Sequence, residues 1–303
     1  MLIVFGSINA DLVFALDRLP TPGQTLLSNR MTIEPGGKGA NQAVAAARDG
    51  ATVIMAGAVG PDGLAATALA GLQAAGIDLS RVGVADTPTG CAAICTDPAG
   101  RNHIVLAPGA NLVARAAVIE DTLLVPHAIL LTQMESDPAE TATLIRRAHA
   151  RGAFTIHNLA PAAALDPAAL RLIDILVVNE DEAAWLAMHN CVARDLPGHQ
   201  CASDARSLHA ALGITVIRTM GPAGVEWAGP NGSGALPAAA IEAVDTTAAG
   251  DCFIGVLAAA LDRGDTIPDA IKRANAAAGL ACTRRGSQSS LPMANETDLA
   301  YGQ

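Results

Sequence analysis

Short apolar runs alternate with longer stretches of helical periodicity along most of the chain. Residues 2–6, Leu-Ile-Val-Phe-Gly, form the kind of compact apolar run that makes a buried strand. Residues 12–33 alternate only weakly and carry Pro20, Pro22 and Gly23, which predicts a hairpin lying outside the main sheet. A strand at 52–58 and a helix at 63–75 come next. A second hairpin is expected at 90–96 and 102–107, turning at Asp97-Pro-Ala-Gly100. The pattern then gives a helix at 115–123, a strand at 128–133, a helix at 138–151 and a strand at 153–158. A strand at 174–178, a helix at 180–189, a loop over 190–201, a helix at 202–212 and a strand at 214–219 continue it. Apolar helical spacing resumes behind Asp251 (Phe253, Ile254, Val256, Leu257), and 268–282 reads as a further helix.

Strands that alternate with helices pair in parallel and are covered on both faces, so the pattern predicts a doubly wound α/β fold with a mostly parallel sheet. The two hairpins break that rhythm and are expected to form a small accessory β-sheet. No long linker or internal repeat divides the 303 residues, a length that allows one large domain or two ordinary ones. The expected organisation is a single domain over 1–303, with a β lid from about 12–34 and 90–107.

Composition narrows the function classes. The chain is 51% hydrophobic, but the surplus is mostly Ala, and no apolar run reaches the roughly 18 residues that span a bilayer. Its first residues lack the basic segment of a signal peptide. Six Cys are scattered without a C-x-x-C pair or metal spacing, the usage of reduced cytoplasmic thiols. A net charge of −10 argues against nucleic acid as a partner, though an anionic ligand needs only local positive potential. Aromatics are 2%, too few for base-stacking surfaces.

The candidate chemistry centres on residues 244–255, Val-Asp-Thr-Thr-Ala-Ala-Gly-Asp-Cys-Phe-Ile-Gly. Ala248, Ala249 and Gly250 lead into Asp251 at a helix start, where unpaired N–H groups and the helix dipole make an anion site. Asp251 itself reads two ways. It can cap the helix by accepting a backbone hydrogen bond, or take a proton from a hydroxyl while the N–H groups hold a transferring phosphoryl group. Polar residues also gather behind strands, where open α/β sheets bind ligands: Asn9 and Asp11, Gln133 and Glu135, Asn158, and Asn179-Glu-Asp-Glu182. Each has an alternative as a turn former or helix cap, the preferred reading for Glu180 and Asp181. A glycine turn at 36–39 feeds an Ala-rich helix with Lys38 and Asn41 at its mouth. It is not G-x-x-x-x-G-K-[ST], and no G-x-G-x-x-G follows a strand. Thr219-Met-Gly-Pro-Ala-Gly224 either closes a hairpin or accepts nucleotide phosphates or ribose. Residues 283–292 are rich in hydroxyls and carbonyls, as an oxygen-lined cation site needs.

Taken in order, Gly6-Ser-Ile-Asn-Ala-Asp11, Gly36-Gly-Lys-Gly-Ala-Asn-Gln42, Asn179-Glu-Asp-Glu182, Asp245-Thr-Thr-Ala-Ala-Gly-Asp251 and Thr283-Arg-Arg-Gly-Ser-Gln-Ser-Ser290 resemble the ribokinase branch of the PfkB carbohydrate kinase family from end to end. The resemblance implies a doubly wound α/β domain with a β lid that phosphorylates a sugar hydroxyl from ATP, with the 5-hydroxyl of D-ribose the expected acceptor. Asp251 then corresponds to the general base and Ala248, Ala249, Gly250 and Asp251 to the anion hole. Sugar-binding positions correspond to Asn9, Asp11, Gly37, Lys38, Asn41, Glu135 and Asp251. Nucleotide positions correspond to Asn179, Glu182, Thr219, Gly221, Gly224, Gly250 and Asn275, with Glu182 organising Mg²⁺ through water. The family's K⁺ positions fall on Asp245, Thr247, Ala281, Arg284, Gly286 and Ser290. Dimerisation through the lid sheet is also implied, with no nucleic acid or membrane partner.

Three positions depart from the family pattern. Leu159 stands where Pro is usual, Cys252 replaces the usual Thr, and Asn275 stands where His often lies near the adenine. Alternatives are a kinase of 2-deoxyribose, a ketose, a sugar acid or a nucleoside, and a non-catalytic sugar sensor. The seven aromatic residues disfavour a nucleoside, whose base needs an aromatic wall, and an intact Asp251 disfavours the sensor.

Overall fold

A computed structural model describes residues 1–98, 101–193 and 202–302. In chain order the first half holds β1 (Leu2–Phe5), β2 (Asn9–Ala15), β3 (Arg30–Gly36), α1 (Lys38–Arg48), β4 (Val53–Val59), α2 (Leu64–Ala74), β5 (Asp78–Val84), β6 (Gly90–Thr96) and β7 (Asn102–Ala107). Then come β8 (Ile129–Thr132), α3 (Pro138–Arg151), β9 (Phe154–Asn158), α4 (Pro167–Leu170), β10 (Ile175–Val178), α5 (Glu180–Ala193) and α6 (Ala205–Leu212). The C-terminal part holds β11 (Thr215–Thr219), β12 (Val225–Gly229), β13 (Gly232–Leu236), α7 (Ala249–Asp262), α8 (Ile267–Cys282) and α9 (Ala294–Tyr301).

Nine strands make the main sheet, in the order β13-β12-β11-β10-β9-β8-β1-β4-β5. The pairs from β11 through β5 are parallel, and the β11–β12 and β12–β13 pairs are antiparallel. The central strands are short and apolar on both faces because both are covered. One face packs on α1, α7 and α8, and the other supports the clusters around Leu176 and Leu130. A second sheet, β3-β2-β6-β7, stands apart and is antiparallel except for the β2–β6 pair. This is the mostly parallel doubly wound fold with a small extra sheet that the sequence pattern predicts.

Local signals explain the elements read correctly. Asp137 caps α3 by accepting from Ala139 N–H, Pro138 occupies its first turn, and Gly152 ends it in the left-handed region. Asp204 and Gly213 do the same for α6. Other expectations need correction. No α-helix forms at 115–123; the chain makes short 3-10 turns at Gly109–Val113 and Ala116–Val118. Arg147 of α3 donates to the carbonyls of Ala116 and Ile119, which a helix would pair internally, and Glu140 accepts from Ala116 N–H. The second sheet starts earlier than expected, since β2 begins at Asn9; Asn9 and Asp11 therefore sit on that sheet and not in a loop after β1. Strands β5 and β13 and helices α4 and α9 add to the expected set, and α5 runs on to Ala193. The rest of the loop expected at 190–201, and the tip of the turn at 97–100, lie outside the described residues. Among the described residues no helix is long and apolar enough to cross a membrane.

Candidate active site

Two helix starts meet where the second sheet joins the main one. Gly37 leads into α1 with φ +90°, and a Cβ there would lie 2.9 Å from both Asn9 N and Ser7 O, so only glycine turns the chain this closely over the β1–β2 connection. Helix α7 lies against α1 at Gly255, where a Cβ would come within 2.4 Å of Gln42 O. That approach carries Asp251, in the first turn of α7, onto the side chains of α1. Asn41 Nδ2 donates to Asp251 Oδ2 at 3.0 Å and Gln42 Nε2 donates to Asp251 Oδ1 at 2.9 Å. The carboxylate is 7% exposed.

Asp251 therefore does not cap its helix; no side chain caps α7 at all. Its N-cap is Ala248, a non-glycine residue at φ 58° and ψ 10°. Ala249 N–H is spent on Thr246 O at 3.2 Å. The N–H groups of Gly250 and Asp251 have no acceptor among the described residues, as expected of a helix's first turn.

Around this carboxylate stand three more charged groups. Asp11 is buried without a side-chain hydrogen bond to any described residue, and its carboxyl is pushed up to about 7. Burial is the main cause, followed by the negative charges of Glu135, Asp251 and Glu34. Burial pulls the Lys38 ammonium down, but the carboxylates of Asp251, Glu135 and Glu182 outweigh it and hold it above its ordinary value. Lys38 is the cation that this acidic cluster shares. Glu135 is tied in place by Ser7 Oγ at 2.5 Å and by Lys38 N–H at 3.2 Å. Asn9 turns its Oδ1 to Asn111 Nδ2 at 2.7 Å, while Asn111 Oδ1 accepts from Ile8 N–H at 2.9 Å; the Asn9 Nδ2 is left to donate elsewhere.

Other candidate positions are arranged differently. Asn179 and Glu182 bond each other reciprocally at the start of α5: Glu182 accepts from Asn179 N–H and Nδ2, and Asn179 Oδ1 accepts from Glu182 N–H. Burial first, then the nearby negative charges of Asp181 and Asp251, pushes the Glu182 carboxyl up against the opposing pull of Asn179 N–H and Lys38. Thr219 Oγ1 donates to Val178 O at 3.4 Å. Gly224 closes the β11–β12 hairpin, where a Cβ would lie 2.1 Å from Leu236 O, whereas the space at Gly221 is open. Asn275 Nδ2 donates to Pro237 O at 2.8 Å.

The last group joins two loops. Asp245 Oδ1 accepts from Thr247 N–H at 2.9 Å and Oδ2 from Gly286 N–H at 3.0 Å. Burial works against the Asp245 anion, but hydrogen bonding from the Thr247 side chain and then from the Gly286 and Thr247 N–H groups outweighs it, so the carboxyl lies below its ordinary value. The Arg284 guanidinium turns away to Glu296 at 2.6 Å, and Ser290 Oγ donates to Ser287 O at 2.8 Å. Ala281 is fully buried in the core. Of the three departures, Leu159 is buried in the cluster with Met134, and the Cys252 thiol is fully buried and pushed up mainly by that burial.

Sequence reasoning passed over Ser7, Gln42 and Asn111, whose signal is only that of a polar residue beside a stronger motif.

The fold has known counterparts. Ribokinase of Haemophilus influenzae is 36% identical over 98% of this chain and 96% of its own length. The crystal structure of ribokinase from Thermotoga maritima superposes with a TM-score of 0.88 at 32% identity, covering 100% of this chain and 99% of that one. Ribokinase of Arabidopsis thaliana, solved with ribose and ATP, superposes with a TM-score of 0.84 at 26% identity, covering 100% and 98%. The model of the pfkB family carbohydrate kinases matches residues 1–294, and the chain belongs to that family.

Proposed function

We propose that the chain is an ATP-dependent ribokinase, transferring the γ-phosphoryl group of ATP to the 5-hydroxyl of D-ribose. The observation that carries this reading is the setting of Asp251: a buried carboxylate, held by two amides, beside two free N–H groups at a helix start. Asp251 accepts the hydroxyl proton as the sugar oxygen bonds to the γ-phosphorus. The bond from that phosphorus to its bridging oxygen breaks, and ADP leaves with the electron pair. The N–H groups of Gly250 and Asp251, with Ala248 and Ala249 shaping the turn, hold the charge that builds on the phosphoryl oxygens. Asn9, Asp11, Gly37, Lys38, Asn41 and Glu135 bind and orient the sugar, and Lys38 offsets the repulsion among the carboxylates.

Asn179, Thr219, Gly221, Gly224 and Asn275 form the nucleotide side. Mg²⁺ keeps most of its water and takes one or two carboxylates plus phosphate oxygens, which suits the single carboxylate of Glu182. When bound it neutralises phosphate charge. A K⁺ ion suits the oxygen donors near Asp245, Thr247, Ala281, Arg284, Gly286 and Ser290, and would stiffen the turn into α7. Residues 1–303 act as one kinase domain with the second sheet as its lid. Leu12, Phe14, Met31, Ile33 and Val105 share one face of that sheet by register, a surface suited to pairing with a second copy. The reading sets the enzyme in the cytoplasm, where ATP is made and thiols stay reduced.

ADP release measured over D-ribose, 2-deoxyribose, ketoses, sugar acids and nucleosides tests the assignment. D-ribose should give the highest kcat/KM, because a site of buried polar groups rejects analogues that leave them unpaired. Higher kcat/KM with adenosine or inosine would refute the ribokinase reading and leave the kinase reading standing.

A further inference from the structure

The two amides that hold Asp251 are themselves held. A primary amide can present oxygen as readily as nitrogen, and an oxygen facing the carboxylate would repel it. Two more glutamines block that reversal. Gln133 Nε2 donates to Gln42 Oε1 at 2.7 Å, and Gln288 Nε2 donates to Asn41 Oδ1 at 3.1 Å. With their oxygens engaged, Gln42 and Asn41 turn N–H groups to the carboxylate, one on each oxygen. Gln42 also donates to Asn158 Oδ1 at 3.1 Å, which satisfies all of its hydrogen-bonding groups. Gln42, Gln133 and Gln288 are 0%, 1% and 3% exposed, so water does not substitute for any link.

The outer glutamines come from separate parts of the fold, Gln133 behind β8 and Gln288 from the loop before α9, yet both are seated in the same way. A Cβ on Gly6 would lie 1.9 Å from Gln133 Oε1, and a Cβ on Gly71 of α2 would lie 1.7 Å from Gln288 Oε1. Both Oε1 atoms are buried without a hydrogen-bond partner among the described residues. Buried unpaired oxygens destabilise a fold, and Met would fill either place without that penalty. Packing alone does not account for a glutamine at both.

We propose that Gln42, Gln133 and Gln288 are positioning residues: they fix Asp251 through its amides, with lone pairs left for the acceptor hydroxyl, and so set turnover without touching the sugar. This rests on Asp251 being the base, and the test separates the two ideas. Gln133→Met and Gln288→Met should each lower kcat by about 10-fold or more, with KM for ribose and ATP changed by less than about 3-fold, as for loss of a group that orients a catalytic side chain. Gly71→Ala is a second probe, because it changes no polar group and lies on a helix that Ala favours. It should lower kcat through Gln288 while Tm holds, and it stands in if a Gln variant fails to fold. In an Asp251→Asn background the same substitutions should cost less than about 2-fold, since there is no base left to orient. Full kcat in Gly71→Ala and in the folded Gln variants would overturn the proposal and leave the base standing. An equal loss with and without Asp251 would also overturn it, as a general structural effect. Unimpaired turnover in Asp251→Asn alone would instead remove the base reading.

Discussion

Asp251 and Asp245 flank the same turn into α7, yet their surroundings share little. Asp251 is buried, and both of its oxygens accept from side-chain amides that reach it from another helix. Asp245 is half-buried and accepts from backbone N–H groups of two loops. The first carboxylate is fixed by groups whose positions the core already determines. The second joins two loops that are also tied elsewhere, by Val244 and Asp245 N–H donating to Cys282 O and by Ser287 Oγ donating to Pro35 O. On the proposed reading, the sugar side is thus pre-built, while the turn that would supply the anion hole, tied by hydrogen bonds between loops, is the more adjustable. Removing the pre-built group should abolish chemistry; disturbing the adjustable one should retune it.

The largest effect tests the pre-built side directly. Asp251→Asn keeps the shape and should retain ribose and ATP binding, while kcat falls roughly 10²–10⁴-fold for loss of a general base. Calorimetric binding together with single-turnover rates checks both halves of this expectation. Weak binding with a matching loss of rate would mean that Asp251 serves the sugar and not the proton.

The same side should carry a cost in stability. Asp11 ionises near 3.8 in the unfolded chain but near 7 in the folded one. Between those values the folded state holds the extra proton, so stability falls as pH rises from about 4 and the loss is complete above about 7. One group with this shift accounts for at most about 4 kcal/mol. Asp11→Asn should therefore raise Tm at pH 8 far more than at pH 5, in ligand-free protein, while weakening ribose binding. Equal Tm gains at both pH values would show that the Asp11 carboxyl is not strained by burial.

On the adjustable side, Asp245→Ala should abolish the response of kcat to K⁺ and leave ribose binding and the fold intact. A coupling on the order of tenfold, or about 1.4 kcal/mol, is the scale for a ligand that biases a loop. Rates in KCl are compared with rates in tetramethylammonium chloride at matched ionic strength and fixed Mg²⁺. Equal rates in both salts for the parent enzyme would mean that Asp245 acts as a brace alone.

How far each side could be read from the sequence follows the same division. Helix α3 carries Asp-Pro at its start and Gly at its end, and its predicted limits match; β1 and β10 are apolar on both faces and were equally plain. The edge strand β5 is half exposed and polar, and β13 is Gly-Ser-Gly-Ala-Leu, which becomes a strand only by pairing with β12. The segment at 115–123 has helical spacing, but its backbone partners lie on α3. In the candidate site, Asp251 stood out beside small residues before an apolar helix. Gln42 did not, because its contact with Asp251 joins residues far apart in sequence and no spacing rule spans such a gap. Asn111, which orients Asn9 from across the second sheet, was hidden for the same reason.

The smallest expected effect lies where the two sides meet. Ala248 ends the adjustable turn and starts the helix that carries Asp251, and it does so in the left-handed region. An L-residue there costs roughly 1 kcal/mol, because Cβ crowds the following carbonyl oxygen. Gly at this position removes that crowding but gives the unfolded chain more freedom, so the two terms partly cancel. Ala248→Gly should raise stability by less than about 1 kcal/mol, a Tm gain of roughly 2 °C for a chain of this size. The same freedom lets the N–H groups of Gly250 and Asp251 wander, so kcat should fall by about 2- to 5-fold with KM for ribose unchanged, a loss of transition-state contacts alone. Saturating K⁺ should restore part of that loss if the cation stiffens the turn. A variant with lower Tm and unchanged kcat would place the strain elsewhere and make Ala248 an ordinary residue of the loop.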